Sequence, residues 1–328
     1  MRGCKGKLLA ALGLFFWQAP CLAQSASLDA AKAAYDKGDA HQAISILKEA
    51  AAQQPANGDV QLWLVKAYLE VNQYDNAISS GEKAVSIDAK NSVYHQWLGE
   101  AYGQKADHSS MLSAYSWARK TQKEFDAAVK LDEHNFDADQ DLIEYDCTAP
   151  SMVGGGEDKG QALIQRVMVL DPAEGHFAQG VCKAVKKDYA AADVEYTKAL
   201  ESKPKTADRL YDIGDYFLQR GQGDKLLQVA AAGEAMAPDD ARGRYYRAVG
   251  WILQGQRYPD AEKNLREYLA AGPFRSSYPT SWDVHYWLGR LLAAQKNTTG
   301  AKGEYQEALK LNPKYKKAAE ALKQLGGK

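Results

Sequence analysis

Apolar residues recur along the chain at three- and four-residue spacings, the pattern of helices that bury one face. The segment "AYDKGDAHQAISILKEAAAQQP" ends at Pro55, and "AYLEVNQYDNAISSGEKAVSIDA" then repeats its pattern, with Ala77 standing 34 residues after Ala43. Each segment holds two short amphipathic stretches, so the repeating element is a pair of helices. A fixed period of this length indicates an array of stacked units, and the chain is predicted to be all-α.

Two positions mark every unit of this array. Small residues at these positions let the two antiparallel helices of a pair approach closely. In the first helix the small or compact residue is Ala31, Val65, Gly99, Ile143, Gly180, Gly214, Ala248 or Gly289. In the second helix the position holds Ala43, Ala77, Ala192, Ala261 or Ala301, with Thr121, Gly160 and Leu226 in the remaining units. The two positions together predict eight helix pairs.

A third recurring position closes each second helix, and it is most often a proline, which cannot continue a helix. The closing residues are Pro55, Ala89, Glu133, Pro172, Pro204, Pro238, Pro273 and Pro313. Large apolar residues such as Leu98, Tyr196 and Leu288 are expected to fill the space between the helices. Because one pair cannot bury its apolar face alone, the pairs are expected to stack on one another.

The segments "WLGEAYGQ", "YAAADVEYTKALESKP" and "WLGRLLAAQKNTTGAKGEYQEALKLNP" resemble the tetratricopeptide repeat family. The resemblance implies a right-handed α-solenoid of about eight helix pairs with a concave inner surface. The array is expected at 24–315, and a C-terminal capping helix at 316–328. The units are expected at about 24–57, 58–91, 92–135, 136–172, 173–206, 207–240, 241–275 and 282–315.

The first residues of the chain combine three basic side chains, the apolar run "LLAALGLFFW" and small residues at Cys21 and Ala23. This pattern predicts a secretory signal peptide at 1–23, cleaved after Ala23. The apolar run is too short to span a bilayer, so no integral membrane segment is expected in the mature chain. The chain also resembles a group of exported bacterial tetratricopeptide proteins with no single defined activity. Export to the periplasm is therefore expected, with secretion as the alternative.

Two cysteines, Cys147 and Cys182, lie beyond the predicted signal peptide. They fall near equivalent heights on the first helices of neighbouring repeats. In an oxidising compartment such a pair can form a disulfide. Two buried free thiols, acting as small apolar residues, are the alternative, and the sequence leaves both open.

Three units are longer than the period. The step from Gly99 to Ile143 is 44 residues, which predicts an extended second helix with a loop before it, within 103–120. The surplus near the C-terminus is mostly "GPFRSSYPTSWDV", where Pro273 and Pro279 forbid a continuous helix. Insertions into a solenoid fall on loops, and loops often carry binding.

The remaining insertion contains Gly154–Gly156 in the fourth unit. These glycines lack the buried strand and the Lys-Ser or Lys-Thr pair of a P-loop, so no nucleotide site is expected. We predict a lengthened turn, with Glu157 and Asp158 at the start of the following helix. This insertion and the one at 103–120 lie in adjacent units, where they form either one functional ridge or two unrelated variations in length.

No pattern typical of metal or catalytic chemistry stands out. The histidines show no pair at the helical spacing that zinc requires, and no GxSxG elbow is present. His95, His176 and His285 occupy the same position of a first helix, which indicates a repeated structural role. We therefore expect no metal, no cofactor and no catalytic residue. The formal net charge is −1 without a basic run along one face, so nucleic acid is not an expected partner.

In the tetratricopeptide family one face of each first helix points into the groove. The resemblance implies that four aromatic residues of the last units share one inward position, with three charged residues nearby. These candidate groove residues are Phe177, Tyr211, Tyr245 and Tyr286, with Asp215, Arg242 and Arg290. Such a lining suits a peptide or a partner helix. Packing of the same rings between adjacent first helices is the alternative.

The expected function is that of an exported, non-enzymatic scaffold whose concave groove binds a protein or a peptide. A ligand-binding or regulatory subunit for envelope glycans, with sugars stacked on the tyrosines, is the second hypothesis. An enzyme with an unrecognised site is the third, and the absence of a convergent acid, base and nucleophile disfavours it.

Overall fold

The computed structural model describes residues 19–326, and of these the side chains from residue 27 onward. Within this range the chain forms seventeen α-helices and one 3₁₀ helix, Ser151–Val153, and no strand. The α-helices are α1 (Ala19–Asp36), α2 (Ala40–Gln53), α3 (Gly58–Glu70), α4 (Tyr74–Ile87), α5 (Ser92–Asp107), α6 (Met111–Leu131), α7 (Phe136–Thr148), α8 (Glu157–Leu170), α9 (Pro172–Val185), α10 (Tyr189–Glu201), α11 (Ala207–Arg220), α12 (Gly223–Met236), α13 (Arg242–Leu253), α14 (Tyr258–Ala271), α15 (Ser281–Ala294), α16 (Thr298–Leu311) and α17 (Lys316–Gly326).

Consecutive helices pack against each other, and odd-numbered helices also contact the next odd-numbered helix, as α3 does α5 and α11 does α13. This arrangement is an α-solenoid, so the all-α prediction and the solenoid are confirmed. Helix α17 packs on α16 at the end of the array. The number of repeats, their boundaries and the handedness of the coil stay predictions. The predicted signal peptide at 1–23 falls mainly on residues outside the described part.

Short polar side chains fix where the helices begin. Asn57 shows the geometry, because its side-chain oxygen accepts the backbone N–H groups of Asp59 and Val60 at 3.1 and 3.3 Å. These groups have no partner inside the helix and are stabilised by such a cap. The residues that cap in this way are Asp39, Asn57, Asn91, Asn135, Asp171, Asp188, Thr206, Thr280 and Asn297.

The turn inside most helix pairs uses one residue in the left-handed region. This residue stands seven positions after the small residue of the first helix, at Gly38, Asn72, Lys187, Gly221, Gly255 and Lys296. A left-handed residue ends a helix and lets the chain reverse in a short turn. The third and fourth pairs lack a left-handed residue at this position. In the third pair the extra residues lengthen the helices, above all α6, and in the fourth they lengthen the connection, where Gly154 is left-handed.

The recurring histidine position has one structural role. His95, His176 and His285 each place Nδ1 within 2.6 to 2.7 Å of a glutamate carboxylate on the second helix of the same pair. The glutamates are Glu124, Glu195 and Glu304. Each contact joins the two helices of a pair at an equivalent place, so the structural interpretation of these histidines is confirmed.

The third insertion, residues 272–280, links distant parts of the array, and we call it the strap. The backbone N–H and the hydroxyl of Ser276 donate to the two carboxylate oxygens of Glu70 on α3, at 2.6 and 2.8 Å. Arg275 lies 3.6 Å from Asp36 on α1 and 3.7 Å from Asp208 on α11. The solenoid therefore curls until the strap reaches its first two helix pairs.

Candidate functional site

Three of the four candidate groove aromatics are buried. Phe177 is 6% exposed, and Tyr211 and Tyr245 are 1% exposed. Tyr211 stacks on Tyr246 of the next first helix at a centroid distance of 5.2 Å, and Tyr245 packs against Tyr268 at 5.6 Å. The expectation that these rings line an open groove is wrong, because adjacent first helices approach closely enough to bury them. Packing between first helices, the alternative, is seen for Tyr211, whereas the ring of Tyr245 packs on α14 of its own pair.

Arg242 is also closed off from solvent. Its guanidinium is paired with Asp240 and Asp208, each at 2.6 Å. It lies between two rings, 4.4 Å from the centroid of Tyr211 and 4.2 Å from that of Tyr278 in the strap. All of these contacts stabilise the cation within the protein. Arg242 therefore joins the strap to α11 and α13.

The remaining candidate groove residues are more accessible. Asp215 is half-buried and accepts a hydrogen bond from the hydroxyl of Tyr246 at 2.6 Å, while burial raises its pKa to about 6. Tyr286 is half-buried, and Arg290 is exposed with its guanidinium 5.0 Å from the ring of Trp287. A binding role for these residues stays a prediction.

Sequence reasoning missed a second buried arginine. Arg209, only 6% exposed, donates to Glu174 at 2.7 Å, to Asp212 at 2.8 Å and to Asp137 at 3.0 Å. Its guanidinium lies 4.1 Å from the ring centroid of Phe177. It therefore joins α7, α9 and α11. Asp212 is three residues away on α11, but Glu174 and Asp137 lie 35 and 72 residues away, so local spacing does not signal the cluster.

Cys147 and Cys182 form a disulfide with an S–S distance of 2.04 Å and a Cα–Cα distance of 5.6 Å. It joins α7 to α9, the first helices of neighbouring pairs. Of the two states that the sequence leaves open, the structure shows the bonded one. The sulfur atoms meet because equivalent positions of successive first helices lie side by side.

The first two insertions meet on one side of the array. The hydroxyl of Tyr115 on α6 donates to the backbone oxygen of Met152 in the 3₁₀ helix at 3.0 Å. The hydroxyl of Tyr145 lies 2.8 Å from the backbone oxygens of both Ala118 and Val153, and its single proton is available to either. The two insertions therefore form a single ridge, which was one of the two interpretations of the sequence.

The glycine loop has the predicted place and role. Gly154 ends the 3₁₀ helix at a φ of +105°, a conformation that favours glycine, and α8 begins soon after it at Glu157. Glu157 and Asp158 lie in the first turn of α8, where a carboxylate is stabilised by the helix N-terminus. The loop is a lengthened turn between paired helices.

The ridge borders a cavity of about 550 Å³ between α5, α6, α7 and the 3₁₀ helix, which we call the cleft. Its apolar wall consists mainly of Met111, Ala114, Tyr115, Phe125, Tyr145 and Val153. Met111 is 89% exposed, and its neighbours Leu112 and Met152 are 90% and 69% exposed. The extended helix α6 therefore presents an apolar surface at the mouth of the cleft.

The opposite wall of the cleft is acidic. Glu100 and Asp107 on α5 face Asp141 and Glu144 on α7, and the cleft has no Lys, Arg or His among its described lining residues. Gln96 donates to Asp141 at 2.9 Å. Burial and the charge of Glu144 raise the pKa of Glu100 to about 7, and burial together with Glu100 raises the pKa of Asp141. These carboxylates therefore hold protons more readily than usual, and no described cation lines the cleft to compensate their negative charge when they ionise.

An aromatic and basic surface lies on α3 and α5. The ammonium group of Lys66 lies between two tryptophan rings, 4.7 Å from the centroid of Trp63 and 4.4 Å from that of Trp97. Burial lowers the pKa of Lys66. This stacking satisfies the cation and orders both rings, so it contributes to packing between these first helices.

Among residues 19–326, no group of three or more His, Cys, Asp or Glu side chains is arranged to hold a metal ion. None of the described helices is both long and apolar enough to cross a bilayer.

Comparison with known proteins agrees with the fold. Two sequence models of the tetratricopeptide repeat match, one at residues 34–98 and the other at 252–319. No curated protein matches the chain.

Solved structures of low identity share the architecture. Yeast Tom70 is similar with a TM-score of 0.56 at 12% identity, over 99% of this chain and 66% of that chain. A thermophilic TPR protein of Thermus thermophilus gives a TM-score of 0.48 at 18% identity, over 60% of this chain and 99% of that chain. A tetratricopeptide repeat protein of Parabacteroides merdae gives 0.45 at 15%, over 93% and 99%. The two matched repeat models and the solenoid of paired helices together show that this chain contains tetratricopeptide repeats.

Proposed function

We propose that this chain is a non-catalytic scaffold that binds a segment of a partner protein in the cleft. The tetratricopeptide fold suggests a protein-interaction role. The observation that carries the proposal is the exposed apolar surface of Met111, Leu112 and Met152 beside a preformed cavity. Leu112 follows Met111 in the chain, and Met152 accepts a hydrogen bond from Tyr115 of the same helix, so the three residues lie in one region. Exposed apolar residues that are grouped mark an interaction site more often than isolated ones do.

The walls of the cleft are suited to binding because they are helical and already in place. Tyr145 holds the 3₁₀ helix and α6 together, since its hydroxyl lies 2.8 Å from a backbone oxygen of each. A preformed surface loses little conformational entropy when a partner docks. Methionine side chains at the mouth add adaptability, since they are flexible and polarizable.

The glycan hypothesis depended on sugars stacking on tyrosines of the groove. Tyr211 and Tyr245 are buried, so their rings are inaccessible to a sugar. No other observation favours that hypothesis, and the cleft replaces the predicted aromatic groove as the candidate site.

We also propose that the chain is exported to the periplasm. The basic and apolar pattern of residues 1–23 supports this proposal, and so does the Cys147–Cys182 disulfide, because disulfides persist in oxidising compartments. Cell fractionation and the intact mass of the protein test it. A periplasmic product beginning at Gln24 is expected, and a cytoplasmic product that retains residues 1–23 would contradict export.

The test of binding compares proteins captured from cells by the wild type and by a surface variant. The variant Met111→Ala, Leu112→Ala, Met152→Ala removes the apolar mouth of the cleft without changing charge. The matched control Val169→Ala, Val194→Ala, Leu311→Ala removes exposed apolar side chains elsewhere, which are 85%, 51% and 48% exposed.

Quantitative mass spectrometry is expected to show at least one protein captured by the wild type and the control but depleted in the cleft variant. Equal capture by all three chains would show that the apolar mouth of the cleft does not bind the captured proteins. Circular dichroism of each variant checks that its helix content is retained.

A further inference from the structure

The proposed function leaves the chemistry of the partner open, and the charges of the cleft define it further. Resting on that function, we infer that the cleft binds a positively charged amphipathic segment of a partner protein. Its Lys or Arg side chains contact Glu100, Asp141 and Glu144, while its apolar side chains contact Met111 and Tyr115.

The acidic wall differs from three partly buried carboxylates elsewhere in the described chain. Asp139 is paired with Arg166, Glu174 with Arg209, and Asp240 with Arg242. Each of these carboxylates is thus compensated by an arginine inside the protein, which offsets the cost of burying its charge.

Glu100, Asp141 and Glu144 form no ion pair with the described residues, although they share one cavity. Gln96 provides a neutral hydrogen bond to Asp141, and no cation of the described residues lines the cleft. Like charges that lie close together destabilise one another. A cation supplied by a partner would relieve this repulsion, so the compensating charge is expected to come from outside.

The arrangement of the two walls excludes a purely ionic ligand. Asp141 and Glu144 are three residues apart on α7 and share one face, with Glu100 facing them from α5. The apolar lining residues of α6 would remain unused by a metal ion or a small polyamine. An amphipathic segment uses both walls at once.

The size of the cleft also suits a segment better than a folded surface. A cavity of about 550 Å³ admits several side chains, and cavities of this order hold compact ligands. The exposed turn of α6 at Met111 and Leu112 extends the apolar contact beyond the cavity. One face of a helix that carries both Lys and Leu matches this combination.

The test uses a short fluorescein-labelled peptide in which Leu and Lys follow helical spacing, with a second peptide in which Glu replaces every Lys. Fluorescence anisotropy measures binding of each peptide to the purified chain. The Lys peptide is expected to bind and the Glu peptide to fail. The variant Glu100→Gln, Asp141→Asn, Glu144→Gln is expected to bind the Lys peptide about tenfold more weakly or worse.

A matched variant separates the cleft from the overall charge of the protein. Glu49→Gln, Glu201→Gln, Glu320→Gln removes the same number of charges from exposed positions of α2, α10 and α17. Its affinity is expected to stay within about twofold of the wild type, because remote exposed charges are screened. Equal weakening in both variants would show general attraction and overturn the inference.

The outcome is distinguishable from a failure of the proposed function. If the apolar variant loses a captured partner but the Lys peptide does not bind, the cleft binds protein and the inferred partner charge is wrong. If the apolar variant loses no partner, the proposed function fails whatever the peptides do, and this inference falls with it.

Discussion

Gly289 has no side chain to separate α15 from α16, and the ring of Tyr305 occupies the space. A Cβ added to Gly289 would lie 2.5 Å from a carbon atom of that ring. Gly99 and Phe125 repeat the arrangement between α5 and α6, at the same distance. The small position that defines the period therefore exists because an aromatic ring of the second helix fills the gap.

The variant Gly289→Ala tests this account of the small position. We expect a loss of about 1–3 kcal/mol in the free energy of unfolding, because the added methyl group overpacks the contact. Gly303→Ala is the matched control, since nothing lies within 4 Å of its added Cβ in α16. It is expected to stabilise by about 1 kcal/mol through helix propensity. Urea unfolding measures both variants, and a stabilising Gly289→Ala would contradict the account.

The stability of the folded chain is expected to depend on pH through Glu100. Its pKa is raised to about 7 by burial first and then by the charges of Glu144 and Asp107. The folded chain therefore holds this proton more tightly than the unfolded chain. The contribution of Glu100 is accordingly least unfavourable at low pH, and stability is lost as the pH rises from the ordinary range of a glutamate towards about 7.

Glu100→Gln is expected to raise the melting temperature above pH 7 and to have little effect at about pH 5. Thermal unfolding followed by circular dichroism at both pH values measures the difference. The exposed control Glu201→Gln should change the melting temperature equally at both. A Glu100→Gln effect that is independent of pH would show that the carboxylate is not strained by its neighbours.

The sequence predicts the helix position of a residue better than it predicts which residues surround it. The period assigned Tyr211 and Tyr245 to the correct helix position, but whether a ring at that position is open or buried depends on the distance to the next helix. Arg209 is a similar case, since its three acidic partners lie on three helices. Burial and long-range ion pairs are properties of the assembled coil, which one repeat does not encode.

At the scale of elements, the sequence predicts where the insertions lie but only part of what they contact. The extended helix α6 and the turn at Gly154 follow directly from extra length in a fixed period. The sequence did not decide whether Tyr115 would contact Met152, because the contact requires both insertions to fall on the same side of the array. No pattern in the sequence predicts the contact between the strap and Glu70, since 206 residues separate Ser276 from Glu70.

The strap is the element whose role is most directly testable. Glu70→Ala removes the acceptor of both Ser276 hydrogen bonds, leaving the ion pairs of Arg275. We expect the amides of 274–278 to exchange hydrogen several-fold faster, because local opening becomes easier. Hydrogen exchange with mass spectrometry measures the change. Glu49→Ala on α2 is the control, and unchanged exchange of the strap in Glu70→Ala would contradict its role as a tie.

The whole molecule is a curled solenoid in which arginines pair with carboxylates of other helices, while the carboxylates of one cleft have no described cation beside them. Arg209, Arg242 and Arg275 make these connections. The disulfide adds a covalent connection between α7 and α9. These ties connect helices of the array to one another, and they leave the cleft with carboxylates that no described cation pairs. The tetratricopeptide repeats and the fold followed from the sequence, whereas the site required the assembled structure.

The measurement that tests the central claim most directly is in-cell photo-crosslinking from the cleft. A photoreactive amino acid replaces Met111, and a control carries it at Val194, which is 51% exposed on α10. The account predicts a discrete protein adduct from position 111 alone, with the crosslinked peptide rich in Lys or Arg beside apolar residues. No adduct above that of the control, or the same adducts from both positions, would contradict the claim that the cleft binds a partner.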